Sequence, residues 1–230
     1  MTDEMMAGAS RRTLVKNGFA LAGALMIPGA ATAAQRIVAA GPIPPVVPLP
    51  KVPAAPIVSS RVVRPDLMRR AMAAMDRHGS RVRLRDRMVV VDFDASSSQP
   101  RFHFVDLTSG RSDSLLVAHG SGSDPAHSGF VKRFSNDPGS NATSEGSFVT
   151  SDYYVGKHGR SQRLIGLDPT NDNALARAIV VHSAWYANRD MLRTHGMLGR
   201  SQGCFAVGEG DLSDVFAQLG EGRMIFSAKV

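Results

Sequence analysis

The sequence predicts a mainly β domain with attached helices, an α+β architecture, from three observations. Short runs rich in Val and Phe recur between residues 87 and 230, separated by Ser, Gly and Pro clusters. One segment of 3.6-residue periodicity precedes them, and a shorter helical segment comes near the end. No internal repeat runs through the chain, so a stacked-repeat array is not expected.

The chain opens on an address. Ser10-Arg11-Arg12-Thr13-Leu14-Val15-Lys16 pairs two arginines ahead of the uncharged run 17–27, and Ala31-Thr32-Ala33 supplies an A-x-A site. Residues 1–33 therefore read as a twin-arginine signal peptide, and the periplasm or cell envelope is the expected location. The apolar run contains two glycines and is far shorter than the ~20 residues that span a bilayer, so no permanent membrane anchor is expected. Residues 34–60 form a linker: from Gly41 to Pro56 the sequence is GPIPPVVPLPKVPAAP, where proline fixes φ and removes backbone donors.

Residues 61–84 lead into the folded part. Apolar side chains at 67, 68, 71, 72 and 75 follow a helical period, and Gly79 is suited to a left-handed cap. The methionines of this helix are expected to fill core gaps. From residue 85 onward strands are expected at 87–94, 101–107 and 113–120, with a hairpin turn at 108–111. Further strands are expected at 146–154, 178–182, 203–207 and 223–230, and a short helix at 211–219, opened by Asp211 and closed by Gly220.

Of 230 residues, 43% are hydrophobic and 20% charged, the composition of a globular protein. About 150 residues remain for folding, enough to bury roughly two-thirds of the unfolded surface without a disulfide framework. An internal disulfide is excluded, because Cys204 is the only cysteine. The formal charge of +7 favours an anionic partner. Nucleic acid is not expected, since the basic residues are dispersed and aromatics are few. A cell-wall polymer suits the same charge.

Cys204 sits in Gly199-Arg200-Ser201-Gln202-Gly203-Cys204-Phe205, where glycine permits a tight corner and the following apolar residues enter a strand. Upstream, Ala178-Ile179-Val180-Val181 delivers His182-Ser183 at a strand end. Thiol and imidazole make a nucleophile and base, and an ion pair between them would lower the thiol pKa. An exported chain has little structural reason to keep one free thiol. His119, His158 and His195 occur near glycines in loop-like contexts; His195, between His182 and Cys204, can line a pocket with them. Neither H-x-x-x-H nor C-x-x-C spacing is present, so no metal or other cofactor is expected.

His182-Ser183-Ala184 followed by Ser201-Gln202-Gly203-Cys204 resembles the active-site signature of the L,D-transpeptidase catalytic domain, the YkuD-type fold. Residues 135–148, SNDPGSNATSEGSF, are similar to a segment of its murein L,D-transpeptidase branch. The resemblance runs from about residue 87 to the C-terminus and makes residues 85–230 the catalytic domain. It implies that Cys204 attacks a carbonyl of a peptidoglycan stem peptide to form a thioester while His182 accepts the thiol proton. Gly203 and Cys204 are then expected to offer N–H groups to the oxyanion, Ser201 to fix the loop, and Ser183 to orient His182. This chain departs from the commonest family pattern in having Gln202 in place of a histidine, and Phe205 and Ala206 where an arginine often follows the cysteine. Tyr186, Arg189 and Arg200 are the expected substitutes for substrate grip.

Two other classes compete. A cysteine peptidase or L,D-carboxypeptidase on murein peptides would use the same pair, although papain-like and NlpC-type enzymes place cysteine before histidine. A non-catalytic wall-binding module would need only the tether and the charge.

Overall fold

The computed structural model describes residues 63–230. The signal at 1–33 and the linker at 34–60 lie outside the described residues. In chain order the elements are α1 (Pro65–Arg77), β1 (Arg87–Asp92), β2 (Phe102–Asp106), β3 (Ser112–Leu115), β4 (Gly146–Gly156), β5 (Gly159–Gly166), β6 (Val180–Ser183), α2 (Asp190–His195), β7 (Phe205–Val207), α3 (Leu212–Leu219) and β8 (Met224–Ala228). The eight strands form one mixed sheet in the order β3-β2-β1-β8-β4-β5-β6-β7. Neighbours are antiparallel except for two parallel pairs, β1 with β8 and β6 with β7.

The central strands are apolar on both sides because both sides are covered. Along β1, Val89 and Val91 enter one core with Phe93, Phe104, Phe148, Phe205 and Ile225, while Met88 and Val90 enter another. Alternation of side chains across the pleat makes this division. The second core is closed by Leu67, Ala71, Ala74 and Met75, one face of α1. Arg64 ties the start of α1 to the end of β1 by pairing with Asp92 and Asp94. Val215, Phe216 and Leu219 of α3 cover the first core from the other side.

Several boundaries differ from expectation for identifiable reasons. Helix α1 ends at Arg77 and is capped by His78, with φ −102°, so Gly79 does not supply a left-handed cap. Asp211 does occupy the N-cap of α3, without a side-chain cap bond, and Gly220 closes the helix at φ +56°. The expected strand 113–120 stops at Leu115; beyond it, Ala118 and Gly120 make single bridges to Ala206 and Ser201. The turn at 108–111 forms as expected: Asp106 Oδ1 accepts the Thr108 and Ser109 N–H groups, each at 2.9 Å. Strand β5 and helix α2 were not expected from the sequence.

Candidate active site

The parallel pairing of β6 and β7 brings the cysteine and the histidine together. Val181 lies opposite Phe205 and His182 opposite Ala206. Val181 and Phe205 point into the main core. Side-chain alternation therefore puts His182, Ala206 and Cys204, which immediately precedes β7, on the opposite face. Cys204 and His182 are diagonal neighbours there, two residues apart in register, and both line one cleft of about 590 Å³.

The turn before Cys204 is held from below. Gly203 adopts φ +113°, and a Cβ there would stand 2.8 Å from the Ala142 carbonyl, so glycine is required on two counts. Ser201 Oγ donates to the Cys204 carbonyl at 2.7 Å and accepts the Gly203 N–H at 3.1 Å, bridging the turn from both sides. The Gly203 N–H is thereby engaged, and the Cys204 N–H is the other expected oxyanion donor. Beneath the loop, the Ser201 N–H donates to the His119 carbonyl and the Ser121 N–H to the Ser201 carbonyl, at 2.9 and 2.8 Å. That segment rests on a buried network. The fully buried Arg101 donates to the Val117 carbonyl and, at 2.7 Å, to His119 Nδ1, leaving His119 Nε2 to face Asp124 at 3.4 Å. Burial, reinforced by Arg101, pushes His119 down to about 3.

His182 is 1% exposed, and its Nδ1 lies 2.8 Å from the Ser183 carbonyl. A carbonyl only accepts, so Nδ1 carries the hydrogen and the neutral ring keeps its lone pair on Nε2. The Ser183 partner of this hydrogen bond is its backbone carbonyl. Burial holds His182 below its ordinary value, opposed in part by that hydrogen bond. Burial also pushes the Cys204 thiol up. Both shifts disfavour the thiolate-imidazolium ion pair that sequence alone allows. The thiol donates to the Ala178 carbonyl at 3.5 Å, and Ala178 itself is held at φ +53°, an uncommon conformation for a residue with a Cβ.

Tyr186, Arg200 and Gln202 line the cleft with the pair, whereas Arg189 and His195 do not. Both are exposed, Arg189 just before α2 and His195 at its end. The thiol-imidazole arrangement makes acyl transfer to and from sulfur the chemistry that these groups can perform. Sequence reasoning missed Arg177. Its guanidinium donates to the carbonyls of Ser135 and Ala142 and to the hydroxyls of Ser140 and Ser144, at 2.6–3.2 Å, so it pins the 135–144 loop as one wall of the cleft. Lys157 and His158, in the turn between β4 and β5, line the cleft with His182. Among the described residues, no group of three His, Cys, Asp or Glu side chains is placed to hold a metal ion.

The family model of the L,D-transpeptidase catalytic domain matches residues 59–227. This chain belongs to the L,D-transpeptidase catalytic domain family. Similar solved structures include an L,D-transpeptidase in complex with imipenem, 14% identical, covering 62% of this chain and 59% of that one, with a TM-score of 0.37. Another is an L,D-transpeptidase from Mycobacterium smegmatis, 13% identical over 62% and 58% of the two chains, TM-score 0.37. A third, from Mycobacterium tuberculosis H37Rv, is 16% identical over 62% and 57%, TM-score 0.35. The L,D-transpeptidase domain of the present chain thus spans under two-thirds of the length of these solved chains. A comparison with curated proteins finds no match.

Proposed function

We propose that this family member is a peptidoglycan L,D-transpeptidase that works through a thioester on Cys204. The observation that carries the reading is the placement of Cys204 and His182 on one face of β6 and β7, opening into one cleft, with His182 Nδ1 already committed to the Ser183 carbonyl. His182 Nε2 takes the thiol proton as Sγ attacks a carbonyl of the donor stem peptide. The oxyanion of the tetrahedral intermediate receives the Cys204 N–H. Collapse breaks the C–N bond, the proton on His182 passes to the departing amine, and the acyl group stays on sulfur. An amine of a neighbouring stem then attacks the thioester, His182 removes its proton, and the returning thiol recovers it.

The twin-arginine address of residues 1–33 and the proline-rich spacer at 34–60 belong to the same reading: the enzyme is exported to the periplasm and held among the wall strands. Loss of the signal removes Arg11, Arg12, Lys16, Asp3 and Glu4, so the charge falls from +7 only to +6, suited to an anionic polymer.

The test is incubation of the mature protein with purified muropeptides and mass analysis of the products. Cross-linked dimers or exchanged terminal residues that disappear in Cys204→Ala are the expected result. Shortened stems alone would make the enzyme a carboxypeptidase, and unchanged muropeptides with retained murein binding would make it a wall-binding module.

A further inference from the structure

The β4–β5 hairpin does more than border the cleft. His158, at its tip, stacks on His182 with ring centroids 4.4 Å apart and planes 22° from parallel. His158 is itself exposed, yet His182 beneath it is 1% exposed. The base is thus fixed in two ways that leave its reactive nitrogen untouched: Nδ1 by the Ser183 carbonyl, and one ring face by a second imidazole. Resting on the proposed roles of Cys204 and His182, we propose that His158 is the positioning residue of the base, an aromatic cover that holds the imidazole plane and keeps water off it.

Local geometry supports a cover rather than a second base. The tip is a two-residue turn, Lys157-His158, followed by Gly159 at φ +73°, so the ring is carried on a tight hairpin rather than a long loop. Below it, β5 pairs with β6 so that Ser161 lies opposite His182, which sets the hairpin directly over the base. The groups that face the same space are Lys157 from the turn, Tyr154 from β4, Tyr186 from the turn Trp185–Ala187, and Arg177, Arg200 and Cys204 from the remaining walls. None of these is a carboxylate that would stabilise a charged imidazole. Loss of the cover admits water to the ring, and water favours the protonated form. Burial holds His182 below its ordinary value, opposed by the Ser183 hydrogen bond, with smaller downward contributions from His158 and Lys157.

Two substitutions separate covering from proton transfer. His158→Phe keeps an aromatic plane over His182 and removes every titratable nitrogen; His158→Ala removes the plane. The measurement is the titration of His182 by NMR on histidine-labelled protein, assigned with His182→Gln, together with the rate at which Cys204 is acylated by a carbapenem. In wild type and His158→Phe, His182 is expected to titrate below its ordinary value, with acylation rates within about threefold of each other. In His158→Ala the titration is expected to rise toward the ordinary histidine value, the acid limb of the acylation profile to move to higher pH with it, and the rate to fall at least tenfold. An unchanged His182 titration in His158→Ala, or equal effects of the two substitutions, would overturn the proposal. If the titrations behave as expected while wild-type Cys204 forms no acyl adduct, the transpeptidase reading fails and the cover stands.

Discussion

At the scale of single residues, the proposed mechanism divides the site into groups that react and groups that hold them. Cys204→Ala is expected to abolish acyl transfer with the fold intact, and His182→Gln to lose at least the ~100-fold typical of a general base. Gln202 lines the cleft but contributes no titratable group, so Gln202→Ala is expected to acylate within about tenfold of wild type, ~1.4 kcal/mol of barrier. Mass spectrometry of the carbapenem adduct over time measures all three, and equal rates for wild type and His182→Gln would remove His182 from the mechanism. The raised thiol has its own signature. Because burial raises the thiol pKa, alkylation of Cys204 by iodoacetamide is expected to climb through the alkaline range. A plateau already reached near pH 7 would instead reveal a thiolate-imidazolium pair.

At the scale of elements, the strands that carry the chemistry were legible because they are apolar: Ile179-Val180-Val181 and Phe205-Ala206-Val207 announce buried strands next to His182 and Cys204. Strand β5 was not, since Gly-Arg-Ser-Gln-Arg-Leu-Ile-Gly buries Ser161 and Gln162 where an apolar alternation is the usual signal. Helix α2 buries no residue, which removes the periodicity that would betray it. Arg177 escaped for a different reason: its partners are carbonyls and hydroxyls of a loop remote in sequence, and such contacts leave no residue pattern. Arg177→Met is expected to free the 135–144 loop and to cost about 2 kcal/mol, less than four bonds at the ~1.5–3 kcal/mol of a charged hydrogen bond, because Arg177 is half-buried and its acceptors regain water once the loop is free. Hydrogen exchange in that loop, together with a urea midpoint, measures both; unchanged protection would mean that the loop holds without its arginine.

At the scale of the whole molecule, the buried network of Arg101, His119 and Asp124 links the floor of the site to acid sensitivity. The folded-state pKa of His119 is depressed to about 3, whereas an unfolded histidine titrates near ~6.5, so between these values the unfolded chain binds a proton that the native chain refuses. Stability therefore falls as pH drops through that window, by about 2 kcal/mol from pH 7 to 5. His119→Gln, which can still accept from Arg101 and donate to Asp124, is expected to flatten the dependence seen in urea midpoints at the two pH values; an identical slope would place the acid sensitivity elsewhere. The cleft above this floor has a kinetic counterpart. Lys157, Arg177 and Arg200 line it without a carboxylate among the lining residues, and the two arginines spend their hydrogen bonds on neutral oxygens. Their field extends into solvent over a Debye length, about 10 Å at 0.1 M salt, and draws anionic reactants toward the mouth before any contact forms. Ionic strength then acts as a throttle on encounter: kcat/KM for an anionic donor is expected to drop steeply with added salt, while kcat, set after the complex has formed, stays level.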